Sequence, residues 1–556
     1  MHELQDILRT TISNGLRRRA VQTPSRWATE FRILGPPIPG PWKFTFHPWL
    51  KEVQDCLAQE VVILKAAQMG FTEALLNISF YYIDILRKNV LYVLPTKTPD
   101  ASDFSSSRFD AALDLNPHLK DIFSNAKNVG HKRSGTANLW IRGSNSRSGL
   151  KSLPVALMVF DEYDEMNMEN MVLAEARTDG QIGEQSWRMI KLSTPTSPDF
   201  GVSKLFEDST KDHFFFPCPH CGKQTEFLFP ESLIITADDI NDVKIRESHL
   251  ICLECKKKLN HKEKIVFLKD GTWQSTIEAK RERRGFHISQ LYSSADRATP
   301  WRLAQSFIKA QTDNLEAQEL YNSKCGIAYV PPGHRVTHEE LNQAKERSDR
   351  TKDSPAPKNK WITLGADVGE PWIYYEIDAW SFPKLMNDLN MMAECNVLTA
   401  GKVLSFHELG QLMHQWQVLM AVVDAQPERR LAYEFACQFY GHAKLCFYTG
   451  NISNRMINIK EGEDAHQVSV DKTSWLDVAL NRFHNGSISL PKDIETEYCE
   501  HQRGLVRRYK KNASGNTVGY YQKVGADHFA DTRCYNEIAL PIAASFTTNE
   551  DIKIFL

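Results

Sequence analysis

Short apolar, β-rich runs alternate with helix-like stretches in the first two hundred residues, and this alternation constrains the fold more than any other feature. "VVILKA" from Val61, "NVLYVLP" from Asn89, "VALMVFDE" from Val155 and "RMIKLSTPT" from Arg188 are the strand-like runs, and "TEALLNISFYYIDILRK" separates the first two. Strands interleaved with helices predict an α/β fold with a parallel sheet and crossover helices. Loops at the C-terminal ends of such strands are where α/β sheets bind ligands. At 556 residues the chain is too long for one core. The pattern breaks near Phe214 and resumes after Gly285, which predicts an inserted module at 214–285 within a first domain at 1–346. The charged, Pro-containing "RSDRTKDSPAPKNK" reads as a linker at 347–360. After it, "WITLGADVGEPWIYYEIDAW" reads as two strands joined by a turn and opens a second α/β domain at 361–556.

With 42% hydrophobic and 24% charged residues the composition is that of a globular protein. No uninterrupted apolar run approaches about 18 residues, and "MHELQDILRT" lacks the apolar core of a signal peptide, so a cytosolic protein without a membrane partner is expected. The formal net charge of -2 neither advertises nor excludes nucleic-acid binding, because local clustering of basic residues decides that.

Between the first strand and its helix lies "KAAQMGFTE". A phosphate-binding loop needs a strand, a glycine-containing turn whose amides wrap the phosphates, a lysine, and a hydroxyl residue opening a helix. Gly70 and Thr72 fit. The place between them, where the lysine usually stands, holds Phe71, and the nearest lysine is Lys65 at the front of the loop. A flexible four-carbon stem reaches a phosphate from either side of the turn, so the landing point of the ammonium matters more than its place in sequence. An ordinary strand-to-helix turn is the competing reading. Asp161 and Glu162, ending "VALMVFDE", favour the first: one acid at a buried strand end can hold Mg²⁺ and a second can polarise an attacking water. Loop and acids in this order predict a nucleotide hydrolase.

"FPCPHCGK" and "LICLECKKK" place Cys218, Cys221, Cys252 and Cys255 in two CxxC pairs about thirty residues apart, able to close a tetrahedron around Zn²⁺. His220, between the first two, is expected to point outward. Four thiolates leave no open position, so the role is structural or in partner contact. In the second domain, Asp367 and Asp424 follow apolar strands and Asp531 lies near the start of a helix. Three such carboxylates can clamp two divalent ions for phosphodiester cleavage, although each alone also reads as a strand end or helix cap. Glu428 and Glu434 are alternatives to Asp424. "HQRGLVRRYKKNASGNTVGYYQK" reads as a β-hairpin whose Arg507, Arg508, Lys510 and Lys511 either meet DNA phosphates or protect a solvated edge.

The chain resembles the large terminase subunits of tailed phages, in the branch typified by the phage lambda packaging protein. The resemblance rests on "KAAQMGFTE", with its lysine at the front and an aromatic residue at the usual lysine position, and on "PSRWA", "PTKTPDASDFSSSRF", the "VFDE" stretch and "STPT", which run in family order. It implies a P-loop ATPase domain with an inserted zinc ribbon, followed by a ribonuclease H-like nuclease domain. Lys65, Gln68 and Gly70 would bind ATP, Thr72 and Asp161 its Mg²⁺, and Glu162 would be the catalytic carboxylate. "STPT" would couple hydrolysis to movement. An arginine donated by a neighbouring subunit is expected from Arg142, Arg147 or Arg177, with Arg147 preferred. Asp367, Asp424 and Asp531 would hold Mg²⁺ or Mn²⁺, with Asp527 and His528 in support. The implied partners are double-stranded DNA, a small terminase subunit, the portal protein of the procapsid and further copies of the chain in a ring, in the host cytoplasm. A helicase-like translocase with a degenerate nuclease, or a DNA-binding scaffold on an inactive loop, are the alternatives.

Overall fold

The computed structural model describes residues 21–123, 129–151, 153–178, 186–277, 282–352, 361–381, 393–449, 457–460, 462–511 and 517–545. The chain divides into two compact units, Met1–Tyr329 and Val330–Leu556.

Beside a short antiparallel pair, Ile33–Leu34 with Gly40–Pro41, the first unit has strands β1 (Glu60–Lys65), β2 (Val90–Leu94), β3 (His131–Ser134), β4 (Ala137–Gly143), β5 (Leu157–Asp161), β6 (Arg188–Ser193), β7 (Asp212–Pro217), β8 (Gln224–Thr225), β9 (Leu233–Ile234), β10 (His249–Ile251), β11 (Lys258–Leu259), β12 (Thr272–Ser275) and β13 (Arg284–Ile288). The main sheet runs β8-β7-β13-β1-β6-β5-β2-β4-β3, with β12 on β7. The run from β7 to β4 is parallel throughout. Helix α1 (Phe71–Asp84) follows β1, and α2 (Gly201–Glu207) follows β6. Strand β1 shows why this sequence makes a central strand. Val61 and Ile63 enter the core on one face, Val62 and Leu64 the core on the other, so both faces are covered, as parallel sheets require.

The module expected at 214–285 is tied to the main sheet at its ends. Its β7 and β12 pair into the main sheet, and Phe214, Phe216, Phe227, Phe267 and Trp273 belong to the same core as α1. Only β9, β10 and β11 form a small sheet of their own. Trp49 is buried, and its indole N–H donates to the Met69 carbonyl at 3.1 Å.

The second unit begins earlier than expected. Helix α3 (His338–Lys352) runs through the start of the expected linker, and Val336, Leu341 and Ala344 lie in the core of this unit. Residues 353–360 are outside the described residues. The strands are β14 (Trp361–Val368), β15 (Ile373–Ser381), β16 (Glu394–Val403), β17 (Met420–Asp424), β18 (Ala443–Tyr448), β19 (Asn458–Ile459), β20 (Gln467–Val470) and β21 (Ile488–Ser489), in the sheet order β19-β20-β18-β17-β14-β15-β16-β21. Strands β14 and β15 form the expected hairpin, Val368 facing Ile373. Helix α4 (Lys472–Asn485), the separate hairpin β22 (Leu505–Lys511) and β23 (Thr517–Lys523), and helix α5 (His528–Ser545) complete the unit.

Helix α5 crosses β14 closely. Thr363, Gly365 and Asp367 share one face of the strand, since alternate residues point the same way. Thr363 Oγ1 bonds Asn536 Oδ1 at 2.7 Å, and a Cβ on Gly365 would stand 2.1 Å from the Thr532 carbonyl. Only glycine permits that approach, which carries the first turn of α5 to Asp367. Gly365→Ala is therefore expected to cost several kcal/mol, on the scale of overpacked cores of about 1–3 kcal/mol or more, read as a lower thermal midpoint.

Candidate functional site

The loop after β1 lies at the C-terminal edge of the parallel sheet. Its first amides are committed: Ala66 N–H donates to Ile288 O at 2.8 Å and Ala67 N–H to Ser323 O at 2.7 Å. Gln68 (φ 63°) and Gly70 (φ 82°) then take left-handed backbone, and among the described residues the amides of Gln68, Met69 and Gly70 have no protein acceptor. That arrangement turns successive N–H groups outward, as an anion-binding turn does. Phe71 is buried in the core, so an aromatic residue here anchors the helix start and does not reach into the loop.

Lys65 ends β1, and its Nζ lies 3.0 Å from Glu162 Oε1, 97 residues later. Asp161 ends β5, two strands away, and accepts from the Tyr92 hydroxyl at 2.6 Å. Burial first, and then the Glu162 charge, raise the Asp161 carboxyl; Lys65 and hydrogen bonds from Tyr92 and Thr72 oppose this. Lys65, Thr72, Asp161 and Glu162 are thus assembled at one sheet edge. Glu162 has left-handed backbone (φ 62°), which favours glycine and marks backbone strain at the end of β5. Ser193 Oγ donates to Glu162 Oε2 at 3.3 Å, joining the "STPT" stretch to the acid.

Sequence reading missed Asp164. Its Oδ2 accepts from Thr196 N and Oγ1, each at 2.9 Å, and its Oδ1 from Val202 N at 2.7 Å, so it ties "STPT" and the start of α2 to the strand end. Burial pushes its carboxyl up to about 7, against these bonds. The only signal was the second aspartate of "DEYDE". Asp164→Ala is expected to lower stability by roughly 2–4 kcal/mol by stranding three donors, measured by denaturant unfolding.

Arg147 is exposed, in the turn after β4. Four strand spacings separate β4 from β1, about 19 Å, so Arg147 is not brought to Lys65. Arg142 is occupied by the Gly130 and Ile141 carbonyls. The Arg177 side chain lies outside the described residues.

The four cysteine sulfurs lie within 4.8 Å of one another, with Cys218 Sγ and Cys255 Sγ 3.8 Å apart. A tetrahedral site with metal–sulfur distances of about 2.3 Å needs sulfurs about 3.8 Å apart. The two knuckles repeat one geometry. Gly222 N–H donates to Cys218 O and Lys256 N–H to Cys252 O, both at 2.9 Å, with Gly222 and Lys256 in left-handed backbone. His220 is exposed, its Nε2 2.9 Å from the Lys258 carbonyl oxygen, and is no ligand.

In the second unit Asp367 and Asp424 stand next to each other on adjacent parallel strands, one step beyond the Ala366–Val423 pair. Asp531 enters from the first turn of α5. His528 Nδ1 lies 2.7 Å from Asp367 Oδ2, and its ring stacks on Tyr374 with centroids 4.3 Å apart. The hydrogen bond to Asp367 raises the His528 pKa. Burial, and then the charges of Asp367 and other neighbours, push Asp424 up to about 6 and Asp531 up to about 7. Buried carboxylates beside a further acid favour a cation among them, so residue type and placement fit divalent ions. Among the described residues, only the cysteine set has its ligand atoms already within 4.8 Å of one another. Glu428 and Glu434 are exposed, and Glu434 is paired with Arg430 at 2.6 Å.

The basic hairpin does not present the arginines as expected. Arg508 is buried, and Arg507 NH2 is paired with Asp477 Oδ2 at 2.8 Å. The Lys510 and Lys511 side chains are outside the described residues.

Fold and sites together define a two-unit α/β chain with a phosphate-loop-like site on one sheet and a strand-end carboxylate site on the other. Two profiles of one family match it: "Phage terminase large subunit gpA, ATPase domain" over residues 37–273 and "Terminase large subunit gpA, endonuclease domain" over residues 283–386. The chain belongs to this family of phage terminase large subunits, in the lambda branch. It is 25% identical over 362 residues to the terminase large subunit of Escherichia phage lambda, covering 58% of this chain and 54% of that protein. To that of Enterobacteria phage P21 it is 24% identical over 229 residues, 37% and 35% of the two chains. The match thus spans about half the length of the first of these relatives and less of the second. The crystal structure of the HK97 bacteriophage large terminase aligns with a TM-score of 0.46 at 12% identity, over 94% of this chain and 99% of that one. The endonuclease profile starts at 283, before β13, which is a strand of the first unit, so its boundary and the structural division at Tyr329 differ.

Proposed function

We propose that the chain hydrolyses ATP in its first unit to drive double-stranded DNA into a procapsid, and cuts concatemeric DNA in its second. The observation that carries this reading is the pair Lys65–Glu162 beside Asp161 at the edge of a parallel sheet, in a chain of this family. The first unit is then a P-loop ATPase domain with a zinc ribbon, the second a ribonuclease H-like nuclease domain.

In the first unit, outward amides at Gln68 to Gly70 and the Lys65 ammonium bind the ATP phosphates. Glu162 orients the water that attacks the γ-phosphorus and takes its proton; Ser193 holds the other carboxylate oxygen in place. Thr72 and Asp161 are the residues that would hold the ion accompanying ATP, which would supply positive charge to the phosphates. The exposed Arg147 suits donation to a neighbouring subunit of a ring. In the second unit, Asp367, Asp424 and Asp531 would hold Mg²⁺ or Mn²⁺, which would supply Lewis acidity toward water and positive charge for the leaving oxygen. His528 fixes the orientation of Asp367. A small terminase subunit and a portal protein are the partners this reading requires, in the cytoplasm of a host cell.

Cys218, Cys221, Cys252 and Cys255 would hold Zn²⁺. Because Cys218 and Cys252 share a core with the ATPase sheet, replacing either by Ser is expected to strip about one Zn²⁺ per chain and to weaken the whole first unit. Elemental analysis and thermal unfolding check both; protein purified in reductant without zinc contradicts the assignment. The function itself is tested with purified chain: Mg²⁺-dependent ATP hydrolysis, and Mn²⁺-dependent cutting of linear and circular DNA.

A further inference from the structure

The carboxylate site contains a cation of its own. Lys472 opens α4, and its Nζ lies 2.8 Å from Asp531 Oδ1 and 2.9 Å from Oδ2. The ammonium also sits 4.9 Å from the centroid of the Tyr448 ring.

The position is fixed from both ends of α4. At its start, Asp471 caps the helix by accepting from Ser474 N–H at 2.8 Å. In the next turn Asp477 is held by Arg507 at 2.8 Å and by the Tyr521 hydroxyl at 2.9 Å, both from the β22–β23 hairpin. Near its end the buried Arg482 pairs with Glu537 of α5. The helix so anchored keeps the Lys472 backbone within reach of Asp531. Neighbouring acids differ in their partners: Asp367 has His528 and Asp527 has Lys523 at 2.9 Å, whereas Asp424 accepts from the Gln426 amide at 3.0 Å and feels the Lys472 charge only from beyond ion-pair distance.

We propose that Lys472 is a built-in competitor for Asp531: its ammonium occupies the carboxylate that a divalent ion needs, and so sets the ion concentration at which the site fills. The inference rests on the reading of the carboxylates as a divalent-ion site. Asp424 and Asp367 would then take the first ion, and filling at Asp531 requires the Lys472–Asp531 pair to open. Lys472 is a positioning residue in this scheme, since it acts through Asp531.

The test is Mn²⁺ binding to the full chain, by calorimetry and by loss of the free-ion electron paramagnetic resonance signal, without DNA or ATP. Lys472→Met removes the charge and keeps most of the volume. It is expected to tighten the weaker Mn²⁺ site about tenfold or more, because a positive charge within a few ångströms of the ion is gone. Lys472→Arg should stay near wild type, and Asp531→Asn should lose the weaker site. Lys472→Gln is measured alongside, with near-ultraviolet circular dichroism to verify folding, so that a collapsed Met variant does not decide the matter. Unchanged or weaker Mn²⁺ binding in the folded Met or Gln variant, beside a wild type that binds, overturns this proposal and leaves the carboxylate site standing. Absence of Mn²⁺ binding in wild type and variants alike overturns both.

Discussion

Lys65→Ala and Glu162→Ala each lower steady-state ATP turnover by about a thousandfold or more. The first removes the positive charge at the phosphate loop and the second the carboxylate that orients water; losses of this order follow removal of single charge-stabilising groups. The two substitutions are not additive, because the side chains meet at 3.0 Å and removing one disturbs the other. Glu162→Gln keeps the hydrogen bond from Ser193 possible and isolates the loss of charge. Phe71→Ala behaves differently from both. Phe71 stands at the usual lysine position of the loop but is buried, and its truncation costs about 3–5 kcal/mol of stability while leaving the chemistry of surviving folded protein intact. Unfolding curves and turnover per folded molecule separate the two effects.

Asp367→Asn and Asp531→Asn each reduce Mn²⁺-dependent DNA cleavage by orders of magnitude and leave ATP turnover unchanged. Asparagine preserves volume but removes the charge a divalent ion requires. Asp367→Asn also weakens the charge that holds up His528, so the imidazole becomes easier to deprotonate, a shift that proton magnetic resonance reads directly. A fragment carrying the second unit alone should cut DNA without the first. It must begin near Val330: a fragment from residue 360 discards α3 and exposes the core around Val336, Leu341 and Ala344. A folded fragment from Val330 that is inert with Mg²⁺ and Mn²⁺ would contradict the nuclease assignment.

What the sequence made legible was local or strongly patterned. Strand β1 and helix α1 announce themselves by apolar runs and length, and the loop between them by Gly70 and Thr72 at short spacing. The paired cysteines were readable because each CxxC is one knuckle closed by its own backbone. What escaped notice depends on distance in sequence. Lys472 meets Asp531 across 59 residues, and Arg507 meets Asp477 across 30, so no spacing rule links either pair. Arg507 and Arg508 alternate along a strand in a pattern that fits a DNA-facing edge as well as a buried one; packing against α4 decided it. The linker was placed late because the sequence of α3 is charged, and a charged amphipathic helix with one apolar face resembles a linker in composition. The insert looked separate because β7 and β12 reach the main sheet only through pairing with each other and with β13, which composition does not reveal.

The central claim is that one chain holds two separate catalytic centres, and steady-state ATP hydrolysis by the full-length chain with Mg²⁺ tests it most directly when wild type, Glu162→Gln and Asp367→Asn are assayed side by side. The account predicts hydrolysis by wild type and Asp367→Asn at the same rate and essentially none by Glu162→Gln. Equal turnover in wild type and Glu162→Gln would contradict it.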